Sequence, residues 1–564
     1  MLKITKREGI MIDRRHFIGG GAAALALAGP LFAHAADNGL DVALVNATLW
    51  TGRGGPPSRG AVGIVGERIA VVGADAVKAR TTRRTRVVDL GGAFLMPAFT
   101  DNHTHFLIGS DILRQPDLLG AKSREDFAAR IGAAARARPG KWLLGGSWDE
   151  QRLGGELPTR AWIDAVTPDT PVAVPRTDLH MYLLNSVALK LAGITRDTPD
   201  PAGGVIVRDA NGEPTGIIKD NAKPLVERVI PPQTTEESIE SVRGGIAHAL
   251  SKGFAQVHVP DINWGSFHAI RAARAKGPLD LRFYCFVPIA DWEKMVAIVA
   301  EEGRGDDWVR WGGVKALADG SLGSRTALFR NDYADAPGQR GVRVISLEDL
   351  RRFIPAADKA GLHVATHAIG DLANDDVLDV YAETVRMNGA RDRRFRIEHA
   401  QHVSPASIPR FARQQVIASV QPYHAIDDGR WAVKRIGQER LTGTYAFHSL
   451  IASGARVTFG SDWPVGPLDP IEGIYAAVTR ETIDGANPQG WLPDQKVSVE
   501  QALIAYTVNN AFAGFQEDRV GVIAPGYYAD LTCLDADPFT TDPEAIRGIK
   551  VLRTIVGGRE RYTA

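Results

Sequence analysis

Only two cysteines, Cys285 and Cys533, occur in 564 residues, far apart and in no Cys-x-x-Cys pair. This excludes a disulfide framework and a cysteine-built metal site, and both thiols are expected as small buried apolar residues. Charge of one sign is also missing. Lys+Arg and Asp+Glu number 66 each, so no basic field calls for nucleic acid. Past the N-terminus no run is long and apolar enough to span a bilayer. Short-period repeats and low-complexity tracts are absent, and no Gly-rich phosphate loop follows the late apolar segments. What is there has ordinary globular composition, 44% hydrophobic and 23% charged, in a chain too long for one small core.

The N-terminus reads as an export signal. Lys3, Lys6, Arg7, Arg14 and Arg15 precede a mildly apolar stretch from Phe17 to Phe32, and Ala33-His34-Ala35 offers a small-residue cleavage site. Arg14-Arg15 followed by His16-Phe17-Ile18 resembles a twin-arginine signal. The expectation is a periplasmic or secreted protein that meets the membrane only through residues 1–35. Removing them leaves 61 Lys+Arg against 64 Asp+Glu, a net charge of −3.

Both ends of the remaining chain are β-rich. Alternating apolar stretches at 41–51, 61–72 and 85–90 are separated by Gly-rich turns, and 529–534 and 551–556 repeat the style. The expectation is one composite β-sandwich from 37–92 and 515–564. The middle, 93–514, alternates short apolar strands with helical stretches such as 235–252 and 347–360. Eight strands are expected, ending near His105, His258, Val287, Lys315, His367, His399, Pro422 and Asp462. Eight βα units imply an α/β fold, a (β/α)8 TIM barrel. The interval after the first barrel strand is too long for one crossover, so about 110–230 reads as an inserted subdomain.

In such a barrel, side chains at the C-terminal strand ends meet at one mouth. Those ends carry His103 and His105, Lys315, His367, His399 and Asp462. His103 and His105 follow the apolar run 93–99, and side chains at i and i+2 of a strand point the same way. Four imidazoles and a carboxylate suit a divalent metal, zinc or a similar ion. A lysine desolvated in the barrel can lose its proton. Lys315 could then add carbon dioxide and become N6-carboxylysine, an anionic ligand able to bridge two ions; the bland alternative is an ion pair with Asp319 or another carboxylate. His258 reads as a core residue and His402 as a loop residue.

An ordered set of motifs carries a family resemblance. These are Pro97-Ala98-Phe99-Thr100-Asp101-Asn102-His103-Thr104-His105, then Lys315 to Arg325 (KALADGSLGSR), Thr366-His367-Ala368-Ile369-Gly370-Asp371, Arg396-Ile397-Glu398-His399-Ala400-Gln401, Gly460-Ser461-Asp462-Trp463-Pro464 and Gly526 to Leu531. From about residue 40 to the end the chain resembles the amidohydrolase superfamily, in its amidohydrolase 3 branch with N-substituted formamide deformylase. The resemblance implies a metal-dependent hydrolase, with His103, His105, His367 and His399 as ligands to one or two ions. It places Lys315 where a bridging carboxylated lysine is expected and Asp462 where a ligand that also transfers protons sits. The one departure, Ala98 where the family usually has Gly, is expected to matter little.

The implied reaction cleaves a C–N bond of an N-substituted formamide, N-acyl amine or cyclic amide, with Asp462 passing a proton from water to the leaving nitrogen. His424 is a candidate donor to the oxyanion, or a loop residue. Trp148 and Trp463 are candidates to line the substrate pocket, though core packing suits both. Arg325 either meets an anionic substrate or fixes its loop through Asp319. An esterase or lactonase could use the same apparatus, and a non-catalytic metal or ligand binder could use the same fold. The expected partner is a small molecule, with a homodimer as a candidate assembly.

Overall fold

The computed structural model describes residues 39–564 except 154, 177–180, 202–203, 221 and 324. The export reading of residues 1–35 lies outside the described residues. Two sheets and an inserted third build the molecule.

Eight parallel strands lie in chain order: Phe99–Asp101, Phe254–Pro260, Arg282–Pro288, Val309–Leu317, His363–Ala368, Arg396–His399, Ile417–Val420 and Val457–Phe459. The long ones are buried almost throughout, as parallel strands covered on both faces must be. The first and last strands are brought together by main-chain bonds past their ends, Asp462 N to His103 O at 2.8 Å and His105 N to Trp463 O at 2.8 Å. The Asn510 amide adds bonds to Thr100 O at 2.5 Å and Phe459 O at 2.8 Å. This is the (β/α)8 barrel the sequence implied. Its outer helices begin where local chemistry dictates. Thr234 and Glu237 form a capping box for Thr235–Ser251, and the Ser346 side chain accepts from Asp349 N at the start of Leu347–Lys359.

The apolar run 93–99 is two strands. Phe94–Pro97 belongs to the other large sheet, and only Phe99–Asp101 enters the barrel. Phe94–Pro97 pairs antiparallel with Leu531–Leu534 and parallel with Val42–Leu49, so the two chain ends share one eight-stranded sheet. That sheet curls on itself. Arg68 bridges Tyr528, and Ile69 N bonds Tyr527 O at 2.8 Å. The curl encloses one apolar interior that includes Leu44, Ile64, Leu95, Leu531 and Ile555. Cys533 packs there and Cys285 in the barrel core, both free and buried. The two sheets are joined by a buried ion pair, Arg282 Nε to Asp530 Oδ2 at 2.7 Å.

The segment after the first barrel helix folds as a five-stranded sheet over 143–220 with two apolar clusters of its own. Buried Asn185 organises it. Its side-chain oxygen accepts from Val172 N and Ala188 N, and its amide donates to Thr167 and Thr170.

Candidate metal centre

Four imidazoles from three strand ends gather around one carboxylate. Asp462 Oδ1 lies 3.4 Å from His103 Nε2 and 3.3 Å from His105 Nε2. Asp462 Oδ2 lies 4.0 Å from His399 Nδ1 and 3.8 Å from His424 Nε2. His103, His105 and Asp462 form one group able to hold a cation, and His399, His424 and Asp462 form a second that shares the carboxylate. Among the described residues, two buried atoms inside this cluster, Asp462 Oδ1 and His424 Nε2, have no hydrogen-bond partner. Burying such atoms unpaired is costly, and a divalent cation satisfies both. The donor set therefore fits a divalent metal.

The backbone is bent to present these groups. Asp462, His399 and Ala400 take φ of 57°, 75° and 42°, a region that non-glycine residues rarely adopt. Regular alternation would send neighbours Glu398 and His399 to opposite faces. The turn at His399 lets both reach the interior. Gly460 makes room beside them, since a Cβ there would lie 2.4 Å from Asn102 Oδ1 and 2.8 Å from His103 N.

Each mouth histidine is steered through its second nitrogen. His103 Nδ1 meets Glu398 Oε2 at 2.6 Å, His105 Nδ1 meets Asp261 Oδ1 at 3.1 Å and His399 Nδ1 meets Gln421 Oε1 at 2.9 Å. An imidazole that donates from Nδ1 offers the Nε2 lone pair to a cation. Glu398 is itself held by Arg396 at 2.7 and 3.1 Å and by the Ser419 hydroxyl at 2.5 Å. Glu398 stands in a motif read from the sequence, but without this role; the motifs include neither Asp261 nor Gln421. A carboxylate or amide at a predicted strand end is the signal that points to them.

Burial sets the electrostatics. It pushes His103 down to about 4, helped by the Lys315 charge, and His367 down to about 3. Against the same penalty, Asp261 and Asp462 hold His105 up at about 9. Burial also opposes ionisation of Asp462, but the surrounding imidazoles keep its carboxyl well below the usual range. Lys315 is buried, its Nζ is 3.5 Å from His103 Nε2, and desolvation lowers it to about 8. That brings a neutral, nucleophilic amine within reach near neutrality. The alternative pairing with Asp319 is not formed. Asp319 instead accepts from the backbone of Leu328, Ile369 and Gly370.

His367 and the low-ranked candidates sort differently. The His367 ring packs 4.4 Å from that of His399, but its Nε2 is turned to Gly320 O at 3.0 Å. His424, expected as an oxyanion donor or loop residue, stands in this cluster with its Nε2 3.8 Å from Asp462 Oδ2. Trp148 is fully buried in the inserted subdomain and its Nε1 donates to Val174 O at 2.9 Å, so it packs that core. Trp463 is buried against Phe106 and stacks on His248; the absent side chain of Gly109 makes its seat. Arg325 fixes its loop as expected, but through Asp335 at 3.0 and 2.9 Å and not through Asp319. His258 bridges Arg396 and Gln256 inside the barrel, and His402 bonds Thr444.

Residues 86–562 match the Amidohydrolase family over most of the chain. The chain belongs to that family. Protein LONG AFTER FAR-RED 3 of Arabidopsis thaliana is 38% identical over 93% of this chain and 91% of its own length. The N-substituted formamide deformylase of Arthrobacter pascens is 28% identical over 93% of this chain and 98% of its own. Among solved structures, an uncharacterized metal-dependent hydrolase from Pyrococcus furiosus superposes with a TM-score of 0.73 at 30% identity, covering 88% of this chain and all of that one. This amidohydrolase is accordingly a hydrolase of carbon–nitrogen bonds built on a metal-binding barrel.

Proposed function

We propose that this amidohydrolase cleaves the C–N bond of a small amide, an N-substituted formamide, N-acyl amine or cyclic amide. The observation that carries the reading is the convergence of His103 and His105 Nε2 on a buried Asp462 oxygen that lacks a hydrogen-bond partner. The similarity to a relative named N-substituted formamide deformylase supports the formamide class.

One or two divalent ions, zinc foremost, would be held by His103, His105, His399, Asp462 and Lys315 as N6-carboxylysine, with His367 and His424 in the same cluster. Such an ion supplies Lewis acidity, lowering the pKa of a water to about 7 and polarising the carbonyl. The chain's own residues do the rest. Asp462, ionised and central, takes the proton of the attacking water and returns it to the leaving nitrogen; positioned acid–base help is worth about 10²–10⁴-fold. Glu398, Asp261 and Gln421 keep the imidazoles in the required tautomer. His424 Nε2, 3.8 Å from Asp462, is placed to steady charge on the substrate oxygen.

A screen of N-formyl, N-acyl and cyclic amides tests this. Turnover is expected on at least one class, to disappear on chelation and to return with metal. Activity that survives thorough chelation defeats it. Matched ester and lactone substrates separate the esterase reading, because the same apparatus serves both. The intact mass should show one added carbon dioxide, absent in Lys315→Ala. Export belongs to the same proposal: Arg14→Lys with Arg15→Lys should trap the protein inside the cell on fractionation. Light scattering reads whether two copies associate.

A further inference from the structure

A cavity of about 950 Å³ opens at the end of the barrel opposite the metal site. Its walls are the segments that lead into the sixth, seventh and eighth strands, 391–395, 414–417 and 454–456, together with Phe512 and the ends of two outer helices. The candidate ligands sit at the other ends of these strands. The cavity is unusually basic, lined by five arginines and one carboxylate, Asp392.

Three of those arginines are neutralised. Arg391 and Arg393 share buried Asp358, and Arg394 holds Glu517 at 2.6 and 2.8 Å and Asp392 at 2.8 Å. Arg413 and Arg456 are different. Among the described residues neither has a carboxylate within 4.0 Å. Arg456 is exposed at the cavity wall, donates one bond to Asn509 Oδ1 at 2.9 Å, and lies 3.8 Å from the centre of the Phe512 ring. Arg394 lies 3.8 Å from the same ring, so two guanidiniums clamp one aromatic and hold Arg456 in place. Burial and the charge of Arg394 push the Arg456 pKa down, against the opposing charge of Glu517. A guanidinium carries five N–H donors, and most of those on Arg456 are unused. A guanidinium fork held against an aromatic ring, on the wall of the same cavity as a second arginine without a carboxylate partner, is an arrangement that can recognise carboxylate or phosphate.

We propose that this cavity is a binding site for a small anion, whose carboxylate or phosphate group is held by Arg413 and Arg456. The site is independent of the amide reading, because it shares no residue with the metal cluster.

Titration calorimetry on the metal-loaded full chain tests it, with inorganic phosphate and with benzoate as separate probes. Saturable binding that weakens with salt is expected. The double variant Arg413→Gln with Arg456→Gln should weaken it by about ten-fold or more, the loss of a charge-assisted pair. Binding by phosphate alone assigns a phosphate site, by benzoate alone a carboxylate site, and by both a general anion site. If the double variant melts prematurely, Arg413→Gln alone, at the rim, should still lower the affinity. Unchanged affinity in the variants puts the anion elsewhere, the metal cluster included, and overturns the proposal. So does the absence of saturable binding by either probe.

Discussion

Two sets of buried histidines share the barrel and differ in one respect. Deep in it, His258 and His363 have both ring nitrogens engaged by protein. His258 meets Arg396 at 3.1 Å and Gln256 at 3.2 Å, while His363 meets the Tyr284 hydroxyl at 3.1 Å and Arg394 O at 2.8 Å. At the mouth, His103, His105 and His399 have Nδ1 engaged, and the first two turn Nε2 toward Asp462. Burial depresses His363 to about 3 and His103 to about 4. Burial alone therefore does not tell a ligand from a core residue. The free ring nitrogen does, because an imidazole with two protein partners has no lone pair to give.

The sharpest way to strain this contrast is Asp462→Asn. With metal saturating, turnover should fall by about 10²–10⁴-fold; a variant that keeps full activity would remove the centre of the mouth cluster. Next, His105→Ala and His363→Phe can be compared by metal content and melting temperature. The first should lose metal. The second should keep it but melt earlier, since Tyr284 and Arg394 O are left short of a partner at about 1–3 kcal/mol for a buried group. Equal metal loss in both would erase the distinction. A smaller effect is expected from Asp261→Asn, which leaves every ligand in place and loosens only the His105 ring. Chelator competition should show metal affinity down by ~10–100-fold. The smallest is Trp148→Phe, which should cost ~1 kcal/mol for its lost bond to Val174 O and leave kcat/KM alone. A large change in kcat/KM would return Trp148 to the site.

Much of the barrel was legible because each strand is a short apolar run followed by a polar residue that chemistry can use. Lys315, His367 and His399 all lie at strand ends expected from that pattern. The helix after Thr234 was legible through its cap. The run 93–99 misled because continuous apolarity cannot say where a chain leaves one sheet for another; the break between Pro97 and Phe99 is made by distant partners, Leu531 for Pro97 and Phe254 for Phe99. Trp148 looked like a pocket residue because an indole is equally suited to a core, and only packing separates the two.

Sequence alone determined the order of the strands, the candidate ligands and the family, since these depend on periodicity and on residues standing next to one another. Tertiary structure decided which ring nitrogen faces the cation, that His424 joins the cluster while His367 turns to Gly320, and that Lys315 is left unpaired by Asp319. The reason is physical: each of those choices is a hydrogen bond or a contact between atoms that the chain brings together only when the cylinder closes.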